Sequence, residues 1–262
     1  EGNPIAMNNY ALMLLCGKGV EANSKEAIKY FKMSIDKGYN LAMNNYANML
    51  ESGEGVKVNY KEAIKYYKMA IDKGNDNAML SYALMLQNGN GVEANYDEAI
   101  KYIKMSIDKG NDNAMVLYAS MLESGSCVEV NYNEAIKYYK MAINEGNPIA
   151  MNNYALMLLY GKGVEANSKE AIKYFKMAID KGYTLAMNNY ADMLENGEGV
   201  EVDIKEALRY YKMAIDNGST DAMISYSNIL HHGFGVEINY EESIKYIKMA
   251  IDNGSTDAMI IY

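Results

Sequence analysis

The chain has 262 residues, half of them hydrophobic, with 21 Met, 25 Tyr, only two Pro and no Trp. This composition excludes intrinsic disorder and favours long helices with few breaks. The formal net charge is -9, so nucleic acid would on average be repelled and is not an expected partner. No apolar run approaches the roughly 18 residues that a membrane-spanning helix needs, and we expect no membrane span in this segment.

An internal period of 36 residues runs through the chain without an insertion. An ungapped period of this length indicates helix-turn-helix hairpins stacked one on the next. We therefore predict an all-α fold, a right-handed superhelical solenoid that forms a single domain over residues 1–262. Two columns mark the period: Ala6, Ala42, Ala78, Ala114, Ala150, Ala186, Ala222 and Ala258, and Tyr10, Tyr46, Tyr82, Tyr118, Tyr154, Tyr190, Tyr226 and Tyr262. The predicted repeats are 3–38, 39–74, 75–110, 111–146, 147–182, 183–218 and 219–254, and the first helix of an eighth is 255–262.

In chain order, each repeat opens with an amphipathic helix, here called helix A. In the second repeat, apolar residues at three- and four-residue spacings predict helix A over about 40–51. A Gly-x-Gly-Val segment then breaks the helix, because glycine supplies backbone freedom at the turn. Tyrosine and methionine columns at this spacing are typical of core packing rather than of a cofactor site.

The second helix of each repeat, helix B, has a start and a stop signal. An Asn or Asp followed three residues later by Glu resembles a capping box. Gly38, Gly74 and their equivalents suit the left-handed position just after a helix, so helix B of the second repeat is predicted over about 60–73. The start pairs are Asn23/Glu26, Asn59/Glu62, Asn95/Glu98, Asn131/Glu134, Asn167/Glu170, Asp203/Glu206 and Asn239/Glu242.

A longer period lies over the first. Residues 1–39 match residues 145–183 except at Cys16/Tyr160 and Ser34/Ala178, a shift of 144 residues or four repeats. The surfaces of repeats one and five are therefore expected to be almost the same, and a ligand site in the first block should have a near-equivalent in the second. Two such sites would raise avidity.

The repeat resembles the Sel1-like repeat, a relative of the tetratricopeptide repeat. The matching positions in the first repeat are Ala6, Tyr10, Ala11, Leu14, Gly17, Gly19, Val20, Ala27, Tyr30, Met33 and Gly38. The resemblance covers the whole chain, and the Gly-x-Gly-Val loop distinguishes it from the tetratricopeptide repeat of about 34 residues. It implies a non-enzymatic adaptor or scaffold role; relatives serve in endoplasmic-reticulum quality-control ligase complexes, in activating cell-wall synthases and in bacterial contacts with hosts.

The chain departs from the family pattern at a few positions. Cys127 replaces a loop glycine, Ser243 replaces the helix B alanine, and the Tyr10 column stands where the family usually has Leu. Because cysteine enters positive φ less easily than glycine, we expect a slightly altered turn at Cys127. Some secreted relatives carry a cysteine pair in every repeat. Its absence here favours a reducing compartment such as the cytoplasm, although a chain that begins with Glu1 leaves a preceding signal peptide open.

Three motifs are read as structural rather than chemical. The Gly-x-Gly turns join helix to helix, whereas a phosphate-binding loop follows a strand. His231 and His232 are adjacent, so they do not share a helical face, and no third ligand stands at zinc spacing. Cys16 and Cys127 lie three repeats apart, which predicts free thiols and no nucleophile–base pair with a histidine. We therefore expect no enzyme activity, metal or cofactor.

The candidate binding residues are polar positions of helix A, the helix that usually lines the concave side of stacked hairpins. The columns beginning at positions 8, 9, 12, 15 and 16 are predicted to lie off the buried stripe and to face this groove. Asparagine carries both a donor and an acceptor, so a ladder of asparagines is suited to the backbone of an extended peptide; the alternative is that these amides bond neighbouring residues or water. The ladder residues are Asn8, Asn9, Asn44, Asn45, Asn152, Asn153, Asn188 and Asn189, followed one turn later by Asn48, Asp192 and Asn228.

Apolar residues interrupt this ladder at Leu80, Val116, Leu117 and Ile224, where either apolar pockets or inter-repeat packing is expected. Phe234, in the last A-to-B turn, is a candidate exposed anchor. The predicted function is protein or peptide binding in the concave groove. The alternative is a structural or host-contact module that self-assembles or binds carbohydrate. The repeated lysines of helix B are read as a solvated outer face.

The end of the chain carries one further expectation. Met259 and Tyr262 lie in a helix A for which no helix B follows. A solenoid needs polar capping repeats, so the chain is expected to be a fragment of a longer protein or to associate with a second copy through this end.

Overall fold

The computed structural model describes residues 2–261, which form fifteen α-helices and no strand. The helices are α1 (Pro4–Cys16), α2 (Ser24–Asp36), α3 (Asn40–Ser52), α4 (Tyr60–Asp72), α5 (Asp76–Asn88), α6 (Tyr96–Asp108), α7 (Asp112–Ser124), α8 (Tyr132–Asn144), α9 (Pro148–Tyr160), α10 (Ser168–Asp180), α11 (Thr184–Asn196), α12 (Ile204–Asp216), α13 (Thr220–His232), α14 (Tyr240–Asp252) and α15 (Thr256–Ile261). Odd-numbered helices are helix A of successive repeats and even-numbered helices are helix B. The predicted all-α architecture of repeated helical hairpins is confirmed.

The helices fall into two compact units, one extending to Tyr118 and the other beginning at Ala119. Within each unit, helix A packs on helix B of its own repeat, and helix B packs on helix A of the next, as in α9 with α10 and α10 with α11. The assignment of residues 1–262 to a single domain stays a prediction.

The capping residues of helix B are confirmed in all seven repeats. In the second repeat, Asn59 Oδ1 accepts a hydrogen bond from the backbone N–H of Glu62 at 3.1 Å, and the other six repeats show the same bond. The backbone N–H of Asn59 also donates to the carbonyl of Leu50 at 2.8 Å. The cap residue therefore fixes helix B to helix A as well as starting it.

The core follows the predicted columns. The alanines of the Ala42 column are fully buried from Ala42 to Ala258, and so is the helix B alanine of repeats one to six, with at most 1 % exposure. Tyr46 packs edge-to-face on Tyr66 with ring centroids 4.9 Å apart, an arrangement that recurs in most repeats and that is favourable for aromatic pairs. Tyr262, the last tyrosine of the column, lies outside the described residues.

The serine at position 243 is explained by a second serine. Ser227 occupies the helix A column that holds alanine in the other repeats, and its Oγ lies 2.8 Å from Ser243 Oγ and donates to the Ser243 carbonyl at 2.9 Å. Both residues are at most 3 % exposed. Each hydroxyl therefore satisfies the other in a site that would otherwise be apolar.

The turn at Cys127 is not altered, contrary to expectation. Its φ of 65° is close to the φ of 67° at Gly55 and of 66° at Gly235, two glycines at the equivalent position, and Cys127 is the one non-glycine residue at positive φ in residues 2–261. The packing of the two helices imposes this backbone conformation, and the cysteine adopts it with steric strain because its Cβ approaches the following carbonyl.

We expect Cys127→Gly to raise the free energy of unfolding by about 1 kcal/mol, since glycine relieves this strain and loses part of the gain through its greater freedom when unfolded. Chemical denaturation followed by circular dichroism measures the difference. Cys127→Ala is the matched control: it removes the thiol but keeps a Cβ, so it should show no gain. An equal gain in both variants would mean that the thiol, rather than the backbone, is responsible.

Candidate protein-binding face of helix A

The inner asparagine column of the predicted ladder is buried. Asn8, Asn44, Asn152 and Asn188 are only 0–6 % exposed, so the expectation that this column lies off the buried stripe is wrong for these four residues. The reason is that helix A of one repeat packs against the next along this column. Val116, at the same position in the fourth repeat, is also buried, which favours inter-repeat packing over an apolar pocket there.

The outer asparagine column is accessible and partly engaged. Asn9 is exposed, and Asn45, Asn153 and Asn189 are half-buried. Asn45 Nδ2 donates to Asn8 Oδ1 of the preceding repeat at 3.0 Å, and Asn189 Nδ2 donates to Asn152 Oδ1 at 2.8 Å. Each of these amides keeps its own oxygen for another donor. The two bonds also show that the duplicated blocks use the same contact between repeats.

Asn48 and Asp192, one turn farther along helix A, accept hydrogen bonds from tyrosines of helix B. The Tyr67 hydroxyl lies 2.6 Å from both Asn48 Oδ1 and Glu51 Oε2, and the Tyr211 hydroxyl lies 2.5 Å from Asp192 Oδ1 and 2.6 Å from Glu195 Oε2. The aromatic rings are buried. The hydroxyls therefore connect the core to the polar surface of helix A.

The hydrogen bond from a helix B tyrosine to helix A occurs in every second repeat, and it was not predicted from the sequence. Repeats two, four and six have Tyr in helix B and Glu at the second-last position of helix A: Tyr67/Glu51, Tyr139/Glu123 and Tyr211/Glu195. In repeats one and five, Phe stands at the tyrosine position, and Leu stands at the two helix A positions equivalent to Asn48 and Glu51. In repeats three and seven, Ile stands at the tyrosine position and no Glu is present at the helix A position. The pairing of residue types inside a repeat was a signal that could have revealed the contact.

At Asp192 and Glu195 of this face, burial is the main influence on the pKa of the carboxyl group. Burial raises the pKa of the Asp192 carboxyl above its ordinary value, an effect that the Tyr211 hydrogen bond only partly opposes, while Glu198 and Asp221 add to the rise. Burial likewise raises the pKa of Glu195. Burial and the two carboxylates hold the pKa of Tyr211 far above its ordinary value, so this hydroxyl remains a donor.

The remaining predicted site residues lie near the end of α13. Asn228 is half-buried and lines a cavity of about 310 Å³ with His231, His232 and Ile244. The His231 ring packs edge-to-face on Tyr240 with centroids 5.1 Å apart. Phe234 is 54 % exposed, and it borders a separate depression with Val202 and Ile204.

Two possibilities, a metal site and a membrane-spanning helix, can be checked directly in the structure. Throughout residues 2–261, no three His, Cys, Asp or Glu side chains are grouped so that they could hold a metal ion. In the same part of the chain, no helix combines the length and the apolar character needed to cross a membrane. Cys16 and Cys127 are free, as predicted.

Repeated helical hairpins whose first helices carry exposed amides and carboxylates define a helical-repeat protein. The chain belongs to the Sel1 repeat family: the family's sequence model, described as "Sel1 repeat", matches residues 4–39, 40–75, 76–111, 112–147, 148–183, 184–219 and 220–255. Sel1 repeat proteins generally act as protein-interaction scaffolds and are generally non-enzymatic. No curated protein is significantly similar to this chain.

Solved structures show the same fold. A Sel1 repeat protein from Oxalobacter formigenes is 29 % identical over 95 % of this chain and 99 % of its own, with a TM-score of 0.83. The protein c5321, a protective antigen of uropathogenic Escherichia coli with a Sel1-like fold, is 23 % identical over 98 % of this chain, with a TM-score of 0.76; this chain spans 55 % of its length. Yeast Tom70 is 15 % identical over 99 % of this chain and 53 % of its own, with a TM-score of 0.61.

Proposed function

We propose that the chain is a non-enzymatic scaffold that binds an extended segment of another protein along the exposed face of helix A. The observation that carries this proposal is the outer asparagine column. Asn45 and Asn189 donate a hydrogen bond to the preceding repeat, and their amide oxygens remain available to a donor of the bound peptide. An extended peptide offers backbone N–H donors at regular intervals, and such an array of fixed polar side chains is suited to bind them. Leucines of helix A in the alternate repeats supply apolar contacts between these polar positions.

The arrangement supports two binding sites, one in each compact unit. Asn8 and Asn45 in the first unit and Asn152 and Asn189 in the second make the same hydrogen bond between repeats, at 3.0 and 2.8 Å. The side chains around these bonds are nearly identical in sequence. A single peptide sequence is therefore expected to bind twice per chain, and a bivalent partner would gain avidity.

The test is peptide selection followed by calorimetry. A random-peptide display library is selected on the purified chain, and the affinity and stoichiometry of a synthesised peptide are measured. We expect two peptides per chain, and about a tenfold weaker affinity after Asn45→Ala with Asn189→Ala, since one lost hydrogen bond at each site corresponds to roughly this factor. Circular dichroism establishes that the variant is folded.

The matched control lies on the other side of the hairpins. Lys61 and Lys205 occupy equivalent positions on α4 and α12 and are exposed, so Lys61→Ala with Lys205→Ala should leave the affinity unchanged. If the lysine variant weakens binding and the asparagine variant does not, the peptide binds helix B and the proposal fails. Self-association through the C-terminal helix stays a prediction; in α15, Met259 is 56 % and Ile260 83 % exposed.

A further inference from the structure

A small cavity opens on the helix A face between the sixth and seventh repeats, inside the second compact unit. Its volume is about 100 Å³, close to the space that the end of a long side chain requires. It adjoins a shallower depression of about 300 Å³ that shares Leu185, Asn188 and Asp221 with it, so the cavity is open to solvent. The lining residues are Leu185, Asn188, Asn189, Asp192, Tyr211, Asp221 and Ser225.

Asn188 is the one inner-column asparagine of this unit with an unused buried acceptor. It is 6 % exposed, and its Nδ2 donates to Ser219 Oγ at 2.7 Å. Its Oδ1 is buried and accepts no hydrogen bond from the protein. A buried acceptor without a donor costs free energy, and in this cavity a donor from a ligand would satisfy it.

The other polar atoms of the cavity are mostly acceptors. Asp192 uses Oδ1 to accept from Tyr211 at 2.5 Å, and Asp221 is exposed at the rim. Neither carboxylate forms an ion pair with any of residues 2–261. The lining therefore combines two carboxylates that have no cationic partner with the unused Asn188 oxygen, whereas the exposed Leu185 provides apolar contact for a methylene chain.

We propose that this cavity, here called the Asn188 pocket, binds the cationic end of an arginine or lysine side chain that belongs to the segment bound along helix A. The proposal rests on the proposed function, because it assigns a residue class to the bound segment. An ammonium or guanidinium group has donors and no acceptor, so it can satisfy Asn188 Oδ1 and pair with both carboxylates. The partner is thus a polypeptide with a basic residue at the position that faces repeats six and seven.

The first block contains the equivalent residues with both aspartates replaced by asparagines, and this set is here called the neutral counterpart. Asn44, the residue equivalent to Asn188, is also 6 % exposed and also has an unused Oδ1. Asn48 and Asn77 replace Asp192 and Asp221, whereas Leu41, Tyr67 and Ser81 are of the same type as their equivalents. The equivalent residues are therefore present twice and the two aspartates only once, so the two blocks are expected to differ in their preference for a cation.

The test requires no natural partner. The full chain, labelled with ¹⁵N, is titrated with Nα-acetyl-L-arginine N-methylamide, with the corresponding lysine derivative and with the neutral citrulline derivative. We expect saturable shifts of the Asn188 and Asn189 side-chain amides with at least one cationic probe, and an affinity for citrulline weaker by about tenfold or more, because charge-assisted hydrogen bonds are the stronger class.

The duplicated block supplies matched variants. Asp192→Asn with Asp221→Asn gives the pocket the side chains of its neutral counterpart, which the same fold already accommodates, and should weaken the cationic probe by about tenfold or more. Asn48→Asp with Asn77→Asp should create a second site, seen as new shifts of the Asn44 and Asn45 amides.

Three outcomes would contradict the proposal that the Asn188 pocket binds a cationic side chain. These are no saturable shift with either cation, equal affinity for citrulline, or an unchanged titration after Asp192→Asn with Asp221→Asn. The proposed function is decided separately, by the effect of Asn45→Ala with Asn189→Ala on a selected peptide. Failure of the pocket and failure of the scaffold function therefore give different results.

Discussion

Gly163→Ala is expected to lower the free energy of unfolding by about 2–5 kcal/mol, because two separate costs add. The residue has a φ of 69°, and an L side chain in this region costs about 1–2 kcal/mol. A Cβ at Gly163 would also overlap the Cβ of Tyr132, the first residue of helix B in the preceding repeat, and would lie 3.2 Å from its Cγ. The shifts of side chain and backbone that accommodate such an overlap cost about 1–3 kcal/mol.

The control for this substitution is Gly182→Ala. Gly182 has a φ of 78°, and a Cβ placed on it has no atom within 4 Å. This variant keeps the backbone cost without the overlap, so its loss should be about 1–2 kcal/mol. Urea denaturation of both variants, followed by circular dichroism, measures the difference. Equal losses would show that the neighbouring repeats do not meet closely at Gly163.

Tyr211→Phe is expected to lower the free energy of unfolding by about 1.5–3 kcal/mol, the range for a hydrogen bond to a charged group. The substitution removes the hydroxyl whose single proton is shared between Asp192 Oδ1 at 2.5 Å and Glu195 Oε2 at 2.6 Å. Both carboxylates are then left partly buried without this donor. Thermal or chemical unfolding measures the loss.

A triple variant tests the origin of this loss. In the fifth repeat, Phe175 stands at the tyrosine position, with Leu156 and Leu159 at the two helix A positions. Tyr211→Phe combined with Asp192→Leu and Glu195→Leu reproduces that set in the sixth repeat, and its stability should return to within about 1 kcal/mol of the original, because no unpaired polar group remains. Additive losses in the triple variant would show that the three residues act independently.

Much of the fold could be predicted from the sequence because each local signal has one physical meaning. In the second repeat, the predicted helix A over about 40–51 and helix B over about 60–73 compare with Asn40–Ser52 and Tyr60–Asp72. The Asn and Asp caps, the left-handed glycines and the alanine columns were all interpretable from residue type and spacing. At Cys127 the interpretation failed, because the packing of the hairpin overrides the preference of a single residue.

The binding face was predicted less well, for a reason particular to asparagine. Asn8, Asn44, Asn152 and Asn188 are polar, which suggested exposure, yet their amides are placed between repeats. Hydrophobic periodicity does not distinguish a solvent-facing amide from one that is buried between repeats. Asp221 and Leu185 were also missed, since the cavity that they line depends on how the helices of two successive repeats are placed.

The paired serines of the seventh repeat have a consequence for how such chains change by recombination. Ser227 and Ser243 compensate each other, just as Tyr211 compensates Asp192 and Glu195, and both sets join helix A to helix B of one repeat. Exchanging a single helix between repeats would separate these partners, whereas exchanging a whole hairpin at the glycine that ends helix B would keep them together. The hairpin is therefore the smallest segment that crossovers can shuffle while these hydroxyls keep their partners within the repeat.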